Sequence, residues 1–199
     1  MRLPAPEPAA AIAPDHRPAS LPAAPLETAA PKRDARSAPG RERRSREDLM
    51  SSKPVAILLA GLAGGAADIL TAFVIYRPAT PAVILQSVAS GWLGKASFKG
   101  GLQAAALGLV SHFAIAVIFA AIFVLAAGQA PVLLKKPLIA GPVFGICVYG
   151  IMNAIVVPLS NAPERHAPTA VMLGLGLLAH VLFGLALAFT ASRMLGGKA

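Results

Sequence analysis

The chain has 199 residues, of which 56% are hydrophobic and only 14% charged, with a mean hydropathy of +0.66, a balance that excludes a cytosolic single-core domain. Positions 1 to 53 hold 10 Lys/Arg and 7 Asp/Glu, whereas the other 146 residues hold 8 basic residues and two acids, Asp68 and Glu164. The net charge of +9 thus belongs to a polar tail and to cations between apolar runs, which gives no ground for a nucleic-acid partner. A single cysteine, Cys147, leaves no disulfide framework and no CxxC metal pair.

Residues 1 to 49 carry nine prolines and the mixed-charge run from Arg41 to Asp48, a composition that buries too little apolar surface to offset chain ordering. They are expected to form a disordered Pro/Ala/Arg-rich cytoplasmic tail. No apolar core segment follows Arg2, so a secretory signal is not expected. The arginine cluster at 41–46 is expected to be solvated, with anionic headgroups as its alternative partner. Met50-Ser-Ser-Lys53 also reads as a natural start of the transmembrane domain, residues 50 to 199.

Four segments of that domain approach the roughly 20 apolar residues a bilayer requires, which predicts an all-α integral membrane bundle of four transmembrane helices. The spans are expected at about 55–75, 104–126, 138–159 and 170–191. The first contains Asp68, and a central carboxylate costs about 2.5 to 3.5 kcal/mol on insertion scales. A re-entrant segment is therefore its alternative. In the first loop, Ile84, Leu85, Val88 and Trp92 recur at helical spacing, predicting an interfacial helix at about 81–94 with Trp92 as its anchor, tied by Gly94, Gly100 and Gly101. Pro131 and Lys135-Lys136-Pro137 form a short second loop, and Pro158, Pro163 and Pro168 bracket the third, so neighbours run antiparallel. Counting Lys and Arg with both termini inside gives 14 cytoplasmic against 4 external, which predicts N-in and C-in.

Each span carries one strongly polar side chain: Asp68, His112, Asn153 and His180. All four fall roughly 9 to 15 Å from the outer end of their helices at a 1.5 Å rise per residue, which predicts a common polar layer. They lie among small residues that let helices approach closely in lipid: Gly61 and Gly65, Gly108, Gly141 and Gly145, and Gly176 and Gly184. The layer is therefore expected to face the bundle interior. Asn153 precedes Pro158 by about one turn, so its amide can instead satisfy a carbonyl that the proline frees.

Three readings of the layer stay open. The residues hydrogen-bond across helices, as in a structural or partner-binding membrane subunit. Alternatively, a carboxylate beside two imidazoles forms a proton- or ion-linked site for a small solute. In the third reading, His112 and His180 face each other across the bundle as metal or bis-His haem ligands. No HExxH, ExxH pair, Ser-His-Asp set or phosphate-binding glycine loop is present, so no enzyme activity and no cofactor is expected. The expected partners are the bilayer and either a second copy or another membrane protein.

The stretches Gln86 to Gly94, Phe98 to Gly101, Leu107 to His112, Tyr149 to Ser160 and Leu178 to His180 resemble a group of small bacterial membrane proteins without an assigned activity. More distantly, they are similar to the YagU-like inner-membrane proteins. The resemblance covers residues 55 to 192 and implies four helices in a bacterial inner membrane, with no catalytic residue or cofactor to carry over.

Overall fold

The computed structural model describes residues 39–163 and 169–196, with side chains from Lys53 onward. The chain divides into Met1–Ser37 and Ala38–Ala199, and the first unit, with most of the expected tail, lies outside the described residues. The described elements are α1 (Pro39–Ile75), α2 (Pro81–Leu93), a 3-10 turn (Gly94–Lys99), α3 (Gly101–Gln129), α4 (Val132–Lys135), α5 (Pro137–Ile151), a π-turn (Met152–Val156) and α6 (Ala170–Leu195). The fold is all-helical among the described residues, and four helices are long and apolar enough to cross a membrane: Lys53–Ile75, Gly101–Gln129, Pro137–Val156 and Ala170–Leu195.

The first span is a continuous helix, not a re-entrant segment, and it begins earlier than the pattern of apolar residues suggests. Residues 39 to 49, grouped with the tail on composition, belong to α1. Proline suits the first helical position, and the sequence there sets Glu42 before Arg46 and Arg44 before Asp48 at i,i+4 spacing. Pro54 sits inside the helix at the start of the membrane-spanning part, where its missing N–H removes one i→i−4 bond.

Glycine sets the helix contacts. In α1, Gly61 and Gly65 meet α3: a Cβ on Gly61 would stand 2.7 Å from the Val117 Cα, and one on Gly65 would stand 3.0 Å from Ala116 Cβ and the Phe113 ring. Gly64 meets α6 instead, 3.0 Å from the Phe183 ring by the same measure. At 100° per residue the 61/65 and 64/68 pairs point about 60° apart, so one helix seats two neighbours. The α5–α6 crossing is tighter still. Cβ atoms at Gly145 and Gly184 would fall onto the carbonyl oxygens of His180 and Gly141, and one at Gly141 would stand 2.8 Å from the Gly184 carbonyl oxygen. In every pair the numbering runs in opposite directions, so α1–α3, α1–α6 and α5–α6 are antiparallel.

The apolar core fills one end of this bundle. Ala56, Ala60, Phe119, Phe123, Phe183, Leu187, Ala188 and Ala191 are buried together, and Phe144 of α5 packs edge-on against Phe119 and Phe123. Toward the other end the packing loosens, with Ile151, Ile155, Val171, Leu173 and Leu178 exposed, as lipid-facing residues are.

The first-loop helix forms where the spacing predicts it, with Thr80 as N-cap and Pro81 at the first position. It does more than cover the interface. A Cβ on Gly108 would fall onto the Leu85 carbonyl, so α2 lies in backbone contact with α3, and Gln86 Nε2 donates to the Gly101 carbonyl at 2.9 Å. The α3 glycine thus serves α2, not the bundle. Gly94 and Gly101 adopt φ of +58° and +55°, a left-handed backbone that glycine takes without a Cβ penalty, where the chain turns from α2 into α3. Trp92 is 66% exposed on this helix and donates its Nε1–H to Ser111 Oγ at 3.0 Å. That pairing leaves the ring face outward and satisfies its polar edge.

Candidate functional site

Asp68 and His180 meet at the α1–α6 contact. The shallow angle between the Gly64 and Asp68 positions carries the carboxylate to the α6 face that Gly64 seats against Phe183. Asp68 Oδ1 lies 3.7 Å from His180 Nδ1, and the side chains are 19% and 21% exposed respectively. His180 Nδ1 is also 2.9 Å from the carbonyl of Gly176, one turn back on its own helix. A carbonyl only accepts, so Nδ1 carries the proton and points it at Gly176, with Asp68 a more distant second acceptor. Asp68 Oδ1 is buried and has no hydrogen-bond partner.

Tyr149 of α5 closes the other side of the imidazole. Its ring meets the His180 ring edge-on at 5.2 Å between centroids, and its hydroxyl donates to the Leu173 carbonyl at 3.3 Å. A Cβ on Gly176 would stand 3.3 Å from the Tyr149 ring, so the absence of a side chain at Gly176 makes room for it. Tyr149 is the site residue that periodicity alone passes over. The signal available was its place one turn before Asn153, at the depth of the polar layer on the helix that Gly145 packs against His180.

His112 meets α1 on the side that Gly65 turns toward α3, about 60° around the helix from the face that carries Asp68. Its Nε2–H donates to the Gly65 carbonyl at 2.9 Å, and its ring stands edge-on to Phe113 at 5.4 Å. Both histidines therefore engage the same stretch of α1, one through a backbone carbonyl and one beside a carboxylate. With Nε2 of His112 given to Gly65, that nitrogen is not presented to an iron or metal ion. Among the described residues no group of three His, Cys, Asp or Glu side chains gathers in ligating range of one another.

Asn153 does not join them. It is exposed, and its Nδ2 donates to the Tyr149 carbonyl at 2.9 Å. The backbone changes to π geometry at Met152–Val156, with Val157 N–H donating to the Met152 carbonyl at 2.8 Å, before Pro158 is reached. The amide thus supports the start of the π-turn and not a carbonyl freed by the proline. The polar layer is in this way a pair, Asp68 with His180, framed by Tyr149, with His112 bonded to the α3-facing side of α1 and Asn153 turned outward. No protein-family model, curated protein or solved structure matches the chain.

Proposed function

We propose that this chain is a bacterial inner-membrane protein, with both termini cytoplasmic, that binds a proton or small cation at Asp68 and couples it to binding or transport of a small solute. One observation carries the reading: Asp68 Oδ1 is buried in a membrane-spanning helix with no hydrogen-bond partner, beside an imidazole whose proton is directed elsewhere. An unpartnered carboxylate oxygen in a bilayer is expensive and is by default a functional feature. Either a bound cation or a proton relieves the cost, and rotation of the His180 ring from Gly176 toward Asp68 supplies a donor when neither is present. The orientation rests on the excess of Lys and Arg in the tail, the α3–α5 loop and the C-terminus.

The test is made in proteoliposomes containing a pH-sensitive dye, with a proton gradient imposed and, separately, a sodium gradient. The full chain dissipates one of these gradients faster than empty vesicles do, and Asp68→Asn reduces the rate to that of empty vesicles. Equal rates for the full chain, Asp68→Asn and empty vesicles under both gradients would remove the coupling.

The second reading is a structural or partner-binding subunit, favoured by the bonding of His112 and Asn153 to backbone carbonyls. Under it the glycine contacts and these bonds hold the bundle for assembly with a second copy or another membrane protein.

A further inference from the structure

The outward face of α6 carries a second feature, whose lining does not include Asp68. Leu182, Leu185, Ala186 and Phe189 recur at helical spacing and form the floor of a groove of about 490 Å³. Ala67 and Thr71 of α1 and Leu138 of α5 supply its remaining walls. The one hydroxyl in the lining, that of Thr71, donates to the Ala67 carbonyl at 2.6 Å, so the groove offers no donor to a polar ligand.

The end of the groove is cationic. Arg193 continues the same α6 face one turn beyond Phe189, and its guanidinium sits over the Phe189 ring at 4.6 Å. That stacking leaves its N–H edge free to meet an anion. Lys136, exposed, stands two residues before Leu138, and Ser192 Oγ donates to the Leu134 carbonyl at 2.6 Å, which fastens the α4 turn that carries Lys135 and Lys136 to α6. Among the residues whose side chains are described, from Lys53 onward, no carboxylate pairs with Lys135, Lys136 or Arg193. From Leu182 to Arg193 the groove and its cap run about 16 Å at 1.5 Å per residue, the scale of an acyl chain with its headgroup at the membrane surface.

We infer that this groove is a specific site for an anionic phospholipid, with an acyl chain along Leu182, Leu185 and Phe189 and the phosphate at Arg193 and Lys136. Charge complementarity selects this occupant over a zwitterionic lipid, because a basic pocket between helices at the membrane surface binds an anionic headgroup. The inference is independent of the reading of Asp68.

The full chain in detergent is titrated with phosphatidylglycerol and with phosphatidylcholine, and bound lipid is counted by native mass spectrometry. Phosphatidylglycerol binds more tightly, with about fivefold of the preference contributed by each cation. Arg193→Gln and Lys136→Gln each remove their share, and Arg193→Lys restores most of the first. Ala186→Phe, which fills the groove, weakens both lipids. Equal affinity for the two lipids in the unmodified chain, or a preference unchanged in the Arg193→Gln/Lys136→Gln double variant, would overturn the site. So would a dimer whose cross-links through Leu182 and Leu185 show a second copy in the groove.

Discussion

At the scale of single residues, the two histidines differ in what they do for α1. His180 directs its Nδ1 proton at Gly176 while standing 3.7 Å from a carboxylate oxygen that has no donor, so the pair holds an unmade bond. His112 has made its bond, to Gly65. Replacing Asp68 by Asn keeps the shape and removes the buried charge, and the thermal midpoint in detergent is expected to stay level or rise. Replacing His112 by Leu deletes an interhelical hydrogen bond of about 0.6 kcal/mol, so the midpoint falls slightly. The same pair of melts checks both statements: a large loss of stability in Asp68→Asn would make the carboxylate a structural member of the bundle. Tyr149 ranks with these residues, because removal of its ring in Tyr149→Leu frees one face of His180 and is expected to change gradient dissipation with little change in the melt.

At the scale of helices, the closest contacts are those where glycine lets backbones touch. Gly145 lies against the His180 carbonyl and Gly184 against that of Gly141, so Gly145→Val forces α5 off α6 and moves His180 with it. Overpacking of this kind costs about 1 to 3 kcal/mol or more, and both the melt and the gradient assay are expected to suffer. Gly108→Val acts differently: it pushes α2 from α3 at Leu85 and leaves the α1–α6 contact in place. A protease-sensitive first loop with retained gradient dissipation is the expected result, and loss of dissipation would tie α2 to the site.

At the scale of the molecule, both termini are expected inside, which cysteine labelling checks in a Cys147→Ser background. Ala96→Cys, exposed in the first loop, reacts with an impermeant reagent from outside, and Gln129→Cys, exposed at the end of α3, only after permeabilisation; the reverse pattern would invert the topology. The spans and α2 were legible because each is a long apolar run or an amphipathic period bounded by proline or glycine, and sequence carries those signals locally. The α1 extension to Pro39 was not, since mixed charge reads as solvated chain and its helical bias lies only in i,i+4 spacing. Depth along the helices brought out Asp68 and His180 but also drew in Asn153, because depth is a local quantity whereas the direction a residue faces depends on the crossing of helices. Gly64 stands outside any sequence motif for the same reason: the Gly61/Gly65 stripe is visible as a motif, while the second face of α1 exists only once α6 is in place. Uptake of a proton or cation by Asp68 within the membrane is read by infrared difference spectroscopy of the full chain in lipid nanodiscs, recorded between acid and neutral pH and with or without sodium. A carboxyl band that changes with pH or sodium and is absent from Asp68→Asn is the expected result; a band indifferent to both, or the same change in Asp68→Asn, would refute the uptake.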